Sequence, residues 1–267
     1  MMDKILSFIA KDMKIELSYK FSFFLRIVGL IITLSIWYFL AKWIGKNIIA
    51  GTNFKYDYFA FVLVGLASTE FQNAGLRGFS DKIRQNQLTG TMEALFVSPT
   101  EPFLIVWGNT LWEFCFSFVY SLIFLLIGVF LFGVEIKLSS FIGMIIVLCI
   151  GYFAFSAIGV ISASFILLFK KGDPVNYAIA ALSTLLAGVY YPISILPDYL
   201  RAISNFLPVT HFLKLTRGLL LDGFTISSLW GSIQYLSIFC LVLFPLSIIA
   251  FRYAYKISRI QGTLSHY

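Results

Sequence analysis

"FIGMIIVLCIGYFAFSAIGVISASFILLF", residues 141–169, contains no Asp, Glu, Lys or Arg. A helix needs about 20 consecutive apolar residues to cross the hydrocarbon of a bilayer, and this stretch exceeds that. No water reaches the backbone at that depth, so its polar groups must bond within the segment, which means a helix. The rest of the 267-residue chain agrees, being 59% hydrophobic, 18% aromatic and only 12% charged. A soluble domain carries about a quarter charged residues. Mean hydropathy is +0.88. The composition reads as an all-α, polytopic membrane protein, a single transmembrane domain over residues 1–267.

Working outward from that stretch, the sequence predicts six spans. They run from Ile27 to Gly45, Tyr58 to Leu76, Phe103 to Phe132, Phe141 to Phe169, Val175 to Leu196 and Leu229 to Phe251. The third and fourth exceed the minimum, so they tilt or protrude beyond the lipid. Thirteen of the 20 Lys and Arg fall before the first span, in the 77–102 and 170–174 segments, and after the last span. The positive-inside rule makes that side cytoplasmic, so both termini lie inside a multi-pass protein of the cell (plasma or inner) membrane. The net charge of +7 reflects this orientation and implies no nucleic-acid partner.

The opening "MMDKILSFIAKDMKIELSYK" does not read as a secretory signal, because its apolar run is short and Lys11 and Asp12 follow at once. Leu6, Ile9, Met13 and Leu17 share one helical side, and Lys4, Lys11 and Lys14 lie opposite. Residues 1–26 are therefore expected to carry an amphipathic helix, lying on the inner membrane face or packed on the protein's own spans. Cys115, Cys149 and Cys240 sit far apart inside apolar segments, and His211 and His266 are too separated for a metal pair, so neither a disulfide nor a metal site is expected.

Two half-polar islands interrupt the hydrocarbon. The first is "RGFSDKIRQNQLTGTMEALFVSPTEP", residues 77–102. Gly75 and Gly78 are expected to loosen the end of span two, with Ser80 as a helix cap. After Gly90, Thr91 to Val97 make two helical turns before Pro99 and Pro102 stop them. A connecting loop needs only a few residues, so this longer, punctuated hairpin reads as a docking surface. Nearby, Glu70 and Glu113 fall at lipid depth with Gln72, Asn73 and Asn109 close in sequence. Buried charge in a bilayer seeks a partner, and these residues predict an intramembrane polar cluster with a structural or pathway-lining role. No His or Ser stands at a spacing that would make the carboxylates catalytic; coupling to a proton or ion gradient is the alternative they leave open.

The second island is "YYPISILPDYLRAISNFLPVTHFLKLTRGLLLDGF", residues 190–224, divided by Pro192, Pro197 and Pro208. Asp198 is expected to cap a helix to Leu207, and a second runs from Val209 to Leu221 with His211, Lys214 and Arg217 along one face. Neither can span. They read as re-entrant half-helices, allowed where protein satisfies their backbone, or as surface helices on the outer leaflet. His211 is expected to hydrogen-bond locally, and Arg217 to snorkel or cap a helix end. The chain has no G-x-x-x-x-G-K-[ST] phosphate loop, since Gly45-Lys46 is followed by Asn47.

Two segments carry a resemblance to a known family. "LTGTMEALFVSP" resembles the Gly-Thr-(Leu/Met)-Glu…Ser-Pro stretch that follows the second span in membrane subunits of type-2 ABC exporters. "LPVTHFLKLTRG" resembles that family's Pro-aliphatic-x-His-x5-Arg pattern, here Pro208, Val209, His211 and Arg217, with Val209 where a longer aliphatic is usual. The resemblance implies a transport subunit that is not itself an enzyme and binds no cofactor. It implies pairing with a second membrane subunit, in the simplest case another copy, and docking on a separate cytosolic subunit that binds ATP and Mg. The coupling helix would fall around Ser80 to Val97, with Arg84, Gln85, Thr91, Glu93, Ser98 and Pro99 facing the ATPase. Glu70, Asn73 and Glu113 would be the pathway or intramembrane polar residues. Tyr190, Tyr191, Pro192, Pro208, His211 and Arg217 would belong to the outer re-entrant motif. The motif is closer to branches exporting drugs, lipids and nodulation factors than to the long-polysaccharide branch. A lipid-like or amphipathic cargo is implied, passing aromatics such as Phe153, Phe155, Tyr190 and Tyr191.

Overall fold

The computed structural model describes residues 19–44, 57–90, 102–137, 141–169 and 173–260. The expected interface helix before Lys20, and Thr91, Glu93, Ser98 and Pro99, lie outside the described residues. Among those described, every regular element is helical and none is a strand. Helix α1 is Lys20–Ile44, α2 Tyr58–Leu88, α3 Pro102–Phe132, α4 Phe141–Phe169 and α5 Pro174–Leu186. A single turn at Ile193–Ile195 leads to α6, Asp198–Phe206, and α7, Pro208–Arg217. A π-turn at Gly218–Asp222 and a short turn at Ile226–Leu229 then feed α8, Trp230–Ile260.

Among the described residues, four stretches are long and apolar enough to cross a membrane: Lys20–Ile44, Thr110–Phe132, Phe141–Phe169 and Ile226–Ile260. The chain is a multi-pass membrane protein. Two of the expected spans look different. Helix α2 has the length, but its second half is polar and lowers its mean hydropathy. The expected fifth span, Val175 to Leu196, is a helix of 13 residues followed by irregular chain. At 1.5 Å per residue it covers about 20 Å, less than the ~30 Å hydrocarbon core. It stops because Gly188 turns left-handed, with φ of +80°.

Helix α4 is the hub, packed most extensively against α2 and α8. Its buried positions include Gly151, Ala154, Ala157, Gly159 and Ala163, small residues that let backbones approach where lipid supplies no hydrophobic drive. At the α2 crossing the approach is extreme. A Cβ on Gly159 would sit 2.5 Å from the Leu76 carbonyl oxygen and 2.6 Å from that of Gly75. This corrects the sequence expectation for Gly75 and Gly78. They do not loosen α2, which runs unbroken from lipid depth to Leu88; Gly75 is there so that α4 can come close. Ser80 likewise is no cap. It is buried in mid-helix, its hydroxyl donating to the Arg77 carbonyl at 3.2 Å. The helix ends instead at Thr89 and Gly90, the latter at φ +67°.

Aromatic stacking fills the centre. Phe71 of α2 stacks on Phe212 of α7 with ring centroids 5.9 Å apart, and Phe155 of α4 meets Phe212 edge-on at 5.3 Å. The outward faces of α1 and α8 are apolar and exposed, with Phe24, Ile36 and Phe39 on one and Leu241, Val242 and Ile249 on the other. Helices α3 and α4 both pack on α2 and meet each other through aromatic side chains at one end, Phe114 of α3 against Tyr152 of α4 at 4.2 Å. Between them lies an apolar cavity of about 280 Å³, lined by Ala67, Phe71, Leu125, Met144, Leu148 and Phe212.

Candidate functional site

The C-terminal half of α2 has two faces. Phe79 and Ile83, one turn apart, are fully buried against Val160, Ala163 and Leu167 of α4 and Phe251 of α8. Asp81, Arg84, Gln85 and Leu88 are all exposed, and their i, i+3, i+4, i+7 spacing places them along one stripe. Lys82 reaches Glu113 of α3 at 3.8 Å. A polar stripe is thus held rigidly on a helix whose other side is locked into the apolar core.

The expected intramembrane cluster is dispersed. Gln72 is buried and donates from Nε2 to the Ser183 hydroxyl of α5 at 2.9 Å. Glu70 precedes it by two residues, which at ~100° per residue places it about 200° round the helix. There it is exposed, in the field of Arg77 and Arg26. Glu113 is engaged with Lys82, and Asn73 is half-buried. Helical rotation separates what lies close in sequence.

The start of α5 holds a node the sequence reading missed. Asp173 caps the helix, accepting from the Asn176 backbone N–H at 3.1 Å, with Pro174 in the first turn. The Ser162 hydroxyl of α4 also donates to the Asp173 carboxylate. From Asn176, Nδ2 reaches the Leu76 carbonyl at 2.7 Å, the Ser80 hydroxyl at 2.9 Å and Asp173 Oδ2 at 2.7 Å. The Asp-Pro-x-Asn signature marks a helix start; nothing in it announces partners some hundred residues upstream.

At the other end, Arg217 neither snorkels nor caps. Its guanidinium turns inward, donating to the carbonyls of Gly188 and Val189, each at 2.8 Å, and of Phe61 at 3.2 Å. Its central carbon lies 3.4 Å over the Phe61 ring. Arginine keeps its proton in proteins, so a full charge is solvated here by three carbonyl dipoles and a π face. Tyr190 stacks on Trp37 of α1 at 4.7 Å, and the Tyr191 hydroxyl donates to the Leu185 carbonyl. Pro192 precedes the Ile193–Ile195 turn and Pro208 opens α7. Asp198 does not cap α6; it stands in the first turn and pairs with Arg201 at 3.2 Å. His211 hydrogen-bonds as expected, with Nε2 2.9 Å from the Asn205 carbonyl and its ring stacked on Tyr235 at 4.0 Å. It lies outside the four membrane-crossing stretches. Burial holds its pKa below the ordinary 6.5, against the Asn205 carbonyl, which favours the charged form.

The family model for the ABC-2 type transporter matches residues 18–221, from the start of α1 through the π-turn that follows Arg217. This chain belongs to the ABC-2 type transporter family. No curated protein sequence matches the chain. An ABC-2 domain is the transport membrane subunit and not itself the ATPase, and the family typically pairs with an ATP-binding subunit.

Within this ABC-2 chain the sequence-derived residues fall into two groups. Arg84 and Gln85 share the exposed stripe near the C-terminal end of α2, whereas Tyr190, Tyr191, Arg217 and His211 gather around the turn at 188–195 and α7. Beside that turn is a second cavity of about 380 Å³, lined by Phe61, Thr210, Lys214, Arg217, Asp222 and Ser232. Of the aromatics expected along a path, Phe155 is fully buried core and Phe153 stacks on Trp107 at 5.6 Å.

Proposed function

We propose that this ABC-2 subunit forms, with a second copy of itself, the pathway of an ATP-driven exporter for a lipid-like or amphipathic cargo. ATP and Mg are bound by a separate cytosolic subunit seated on the inner end of α2 and the 91–97 segment, with Arg84, Gln85, Thr91, Glu93, Ser98 and Pro99 at the junction. Both termini are cytoplasmic. Helices α1 to α4, α5 with the chain that follows it, and α8 make six crossings, and α6 and α7 form the outer re-entrant pair.

One observation carries this reading. Helix α2 continues without a break from its buried, lipid-depth body into an uncovered polar stripe, so a force applied to the stripe displaces the body as a rigid rod. The two apolar and polar-rimmed cavities support a cargo with both characters. A gradient-driven carrier is less well supported. Glu113 is already paired with Lys82, and an opposite charge at that distance favours the ionised carboxylate over proton uptake.

The test is reconstitution of the chain with its ATP-hydrolysing partner, following a fluorescent phospholipid analogue. Arg84→Glu is expected to cut ATP-driven movement by about tenfold or more, the scale of one coupling interaction, with the helices still folded. Unchanged movement in Arg84→Glu, or movement that persists without ATP and follows a proton gradient, overturns the reading.

A further inference from the structure

Helix α5 is attached to its neighbours by its polar side. Its buried residues are Asn176, Ser183 and Leu186, while Tyr177, Leu182 and Leu185 are exposed by 76%, 41% and 61%. It offers hydrogen bonds inward and hydrocarbon outward. Three ties, spread along its whole length, fasten it to α2. At its start, Asn176 holds the Leu76 carbonyl and the Ser80 hydroxyl. Two turns later Ser183 accepts from Gln72. Past its end, Arg217 grips the Gly188 and Val189 carbonyls and, with the same guanidinium, the Phe61 carbonyl of α2. Residues 176 and 183 share a face of α5, and their partners ascend α2 in the opposite order, so the two helices lie antiparallel and in register.

Asn176 itself is unevenly served. Its two amide hydrogens face three acceptors, while Oδ1 is buried without a donor. An idle acceptor in an apolar interior is costly. We propose that Asn176 is a positioning residue that makes α5 travel with α2 as one body. A displacement of the polar end of α2 reaches α5 through Asn176 and Ser183, shifts the outward apolar face of α5, and gives Oδ1 a donor in the displaced state. The proposal rests on α2 being the driven helix.

The experiment uses the full complex with its ATPase, with Cys115, Cys149 and Cys240 replaced by alanine and spin labels placed in two pairs. One pair, at Leu88 and Tyr177, spans α2 and α5; the other, at Leu88 and Ile249, spans α2 and α8. With a non-hydrolysable ATP analogue, the α2–α8 distance is expected to change while the α2–α5 distance holds. In Asn176→Leu the α2–α5 distance changes too, and cargo moved per ATP hydrolysed falls about tenfold while hydrolysis continues, a split that a merely structural role does not produce. Ser80→Ala removes one acceptor and keeps the fold, so it gives a smaller drop and serves if Asn176→Leu misfolds. An α2–α8 distance that ignores the nucleotide defeats the driven-helix reading and this proposal with it. If that distance responds, two results defeat the tie alone: an α2–α5 distance that changes equally in the unaltered chain, or variants that leave cargo per ATP unchanged.

Discussion

Helix α2 is gripped on two sides by opposite means. Against α4 the grip is steric: glycine and alanine let the backbones meet, and phenylalanines close the gaps. Against α5 it is polar, made from a few directed hydrogen bonds with hydrocarbon turned away. Van der Waals packing is lost over fractions of an ångström and tolerates little sliding. Hydrogen bonds between membrane helices contribute only ~0.6 kcal/mol each on average, because alternative partners exist in the unfolded chain. The first contact holds by shape along the whole crossing, the second by a few directed ties that single substitutions can cut.

The steric side breaks hardest. Gly159→Ala puts a methyl group 2.5 Å from a backbone carbonyl of α2, and neither helix can yield without disturbing the Phe71, Phe155 and Phe212 stack. The expected cost is on the order of 2–3 kcal/mol for alanine, and Gly159→Leu should not fold. Thermal unfolding in mild detergent and the yield of monodisperse protein measure this. A Gly159→Ala protein as stable as the original would mean that α2 and α4 are not in backbone contact.

The polar side breaks more locally. Arg217→Lys keeps the charge but cannot reach three carbonyls at once with a compact ammonium. About 2 kcal/mol of stability should be lost as buried carbonyls go unserved, and the loss should be confined to the turn that follows α5. With Cys115 and Cys240 removed and Ala187→Cys added, thiol labelling at 187 should quicken, while native Cys149 on α4 keeps its rate. Equal acceleration at both positions would show that the two grips are one cooperative unit.

How far each grip was visible beforehand follows from the same contrast. The uncharged run from Phe141 to Phe169 is bounded on both sides by polar residues, so the limits of α4 could be read to the residue. Apolar periodicity likewise marked the body of α3 and placed α6 and α7 between their prolines. Polar contacts were misread, because a lone polar residue in a sequence does not say which way it turns. Ser80 near two glycines looks like a helix start and is instead an acceptor for Asn176. Arg217 at a helix end looks like a snorkelling cation, but the Gly188 and Val189 carbonyls that turn it inward lie 29 and 28 residues upstream. The shortness of α5 has the same origin, in a left-handed Gly188 inside an otherwise apolar run. Arg84 and Gln85 read only as part of a polar segment between two spans; both are exposed on α2, but the apparent cap at Ser80 hid that this segment continues the same helix.

The smallest effect sharpens the contrast at the far end of the polar grip. His211 sits two turns before Arg217 on α7, fixed by the Asn205 carbonyl and stacked on Tyr235. Burial holds its pKa below 6.5, with Lys214 adding in the same direction and the Asn205 carbonyl opposing both. The folded chain therefore resists protonation at a pH where the unfolded chain accepts it. Stability is full above about pH 6.5 and drains as pH falls through that value toward the lower folded pKa. Lowering the pH from 7.5 to 5 should thus lower Tm more in the native sequence than in His211→Gln, a comparison in which carboxylates shared by both proteins cancel. The difference should be smaller than the loss in Arg217→Lys, since a protonated imidazole keeps its bond to Asn205 and disturbs only the stacking and the charge balance near Lys214. If His211→Gln shows the same pH dependence as the native chain, the imidazole is not enclosed, and α7 is anchored through Arg217 alone.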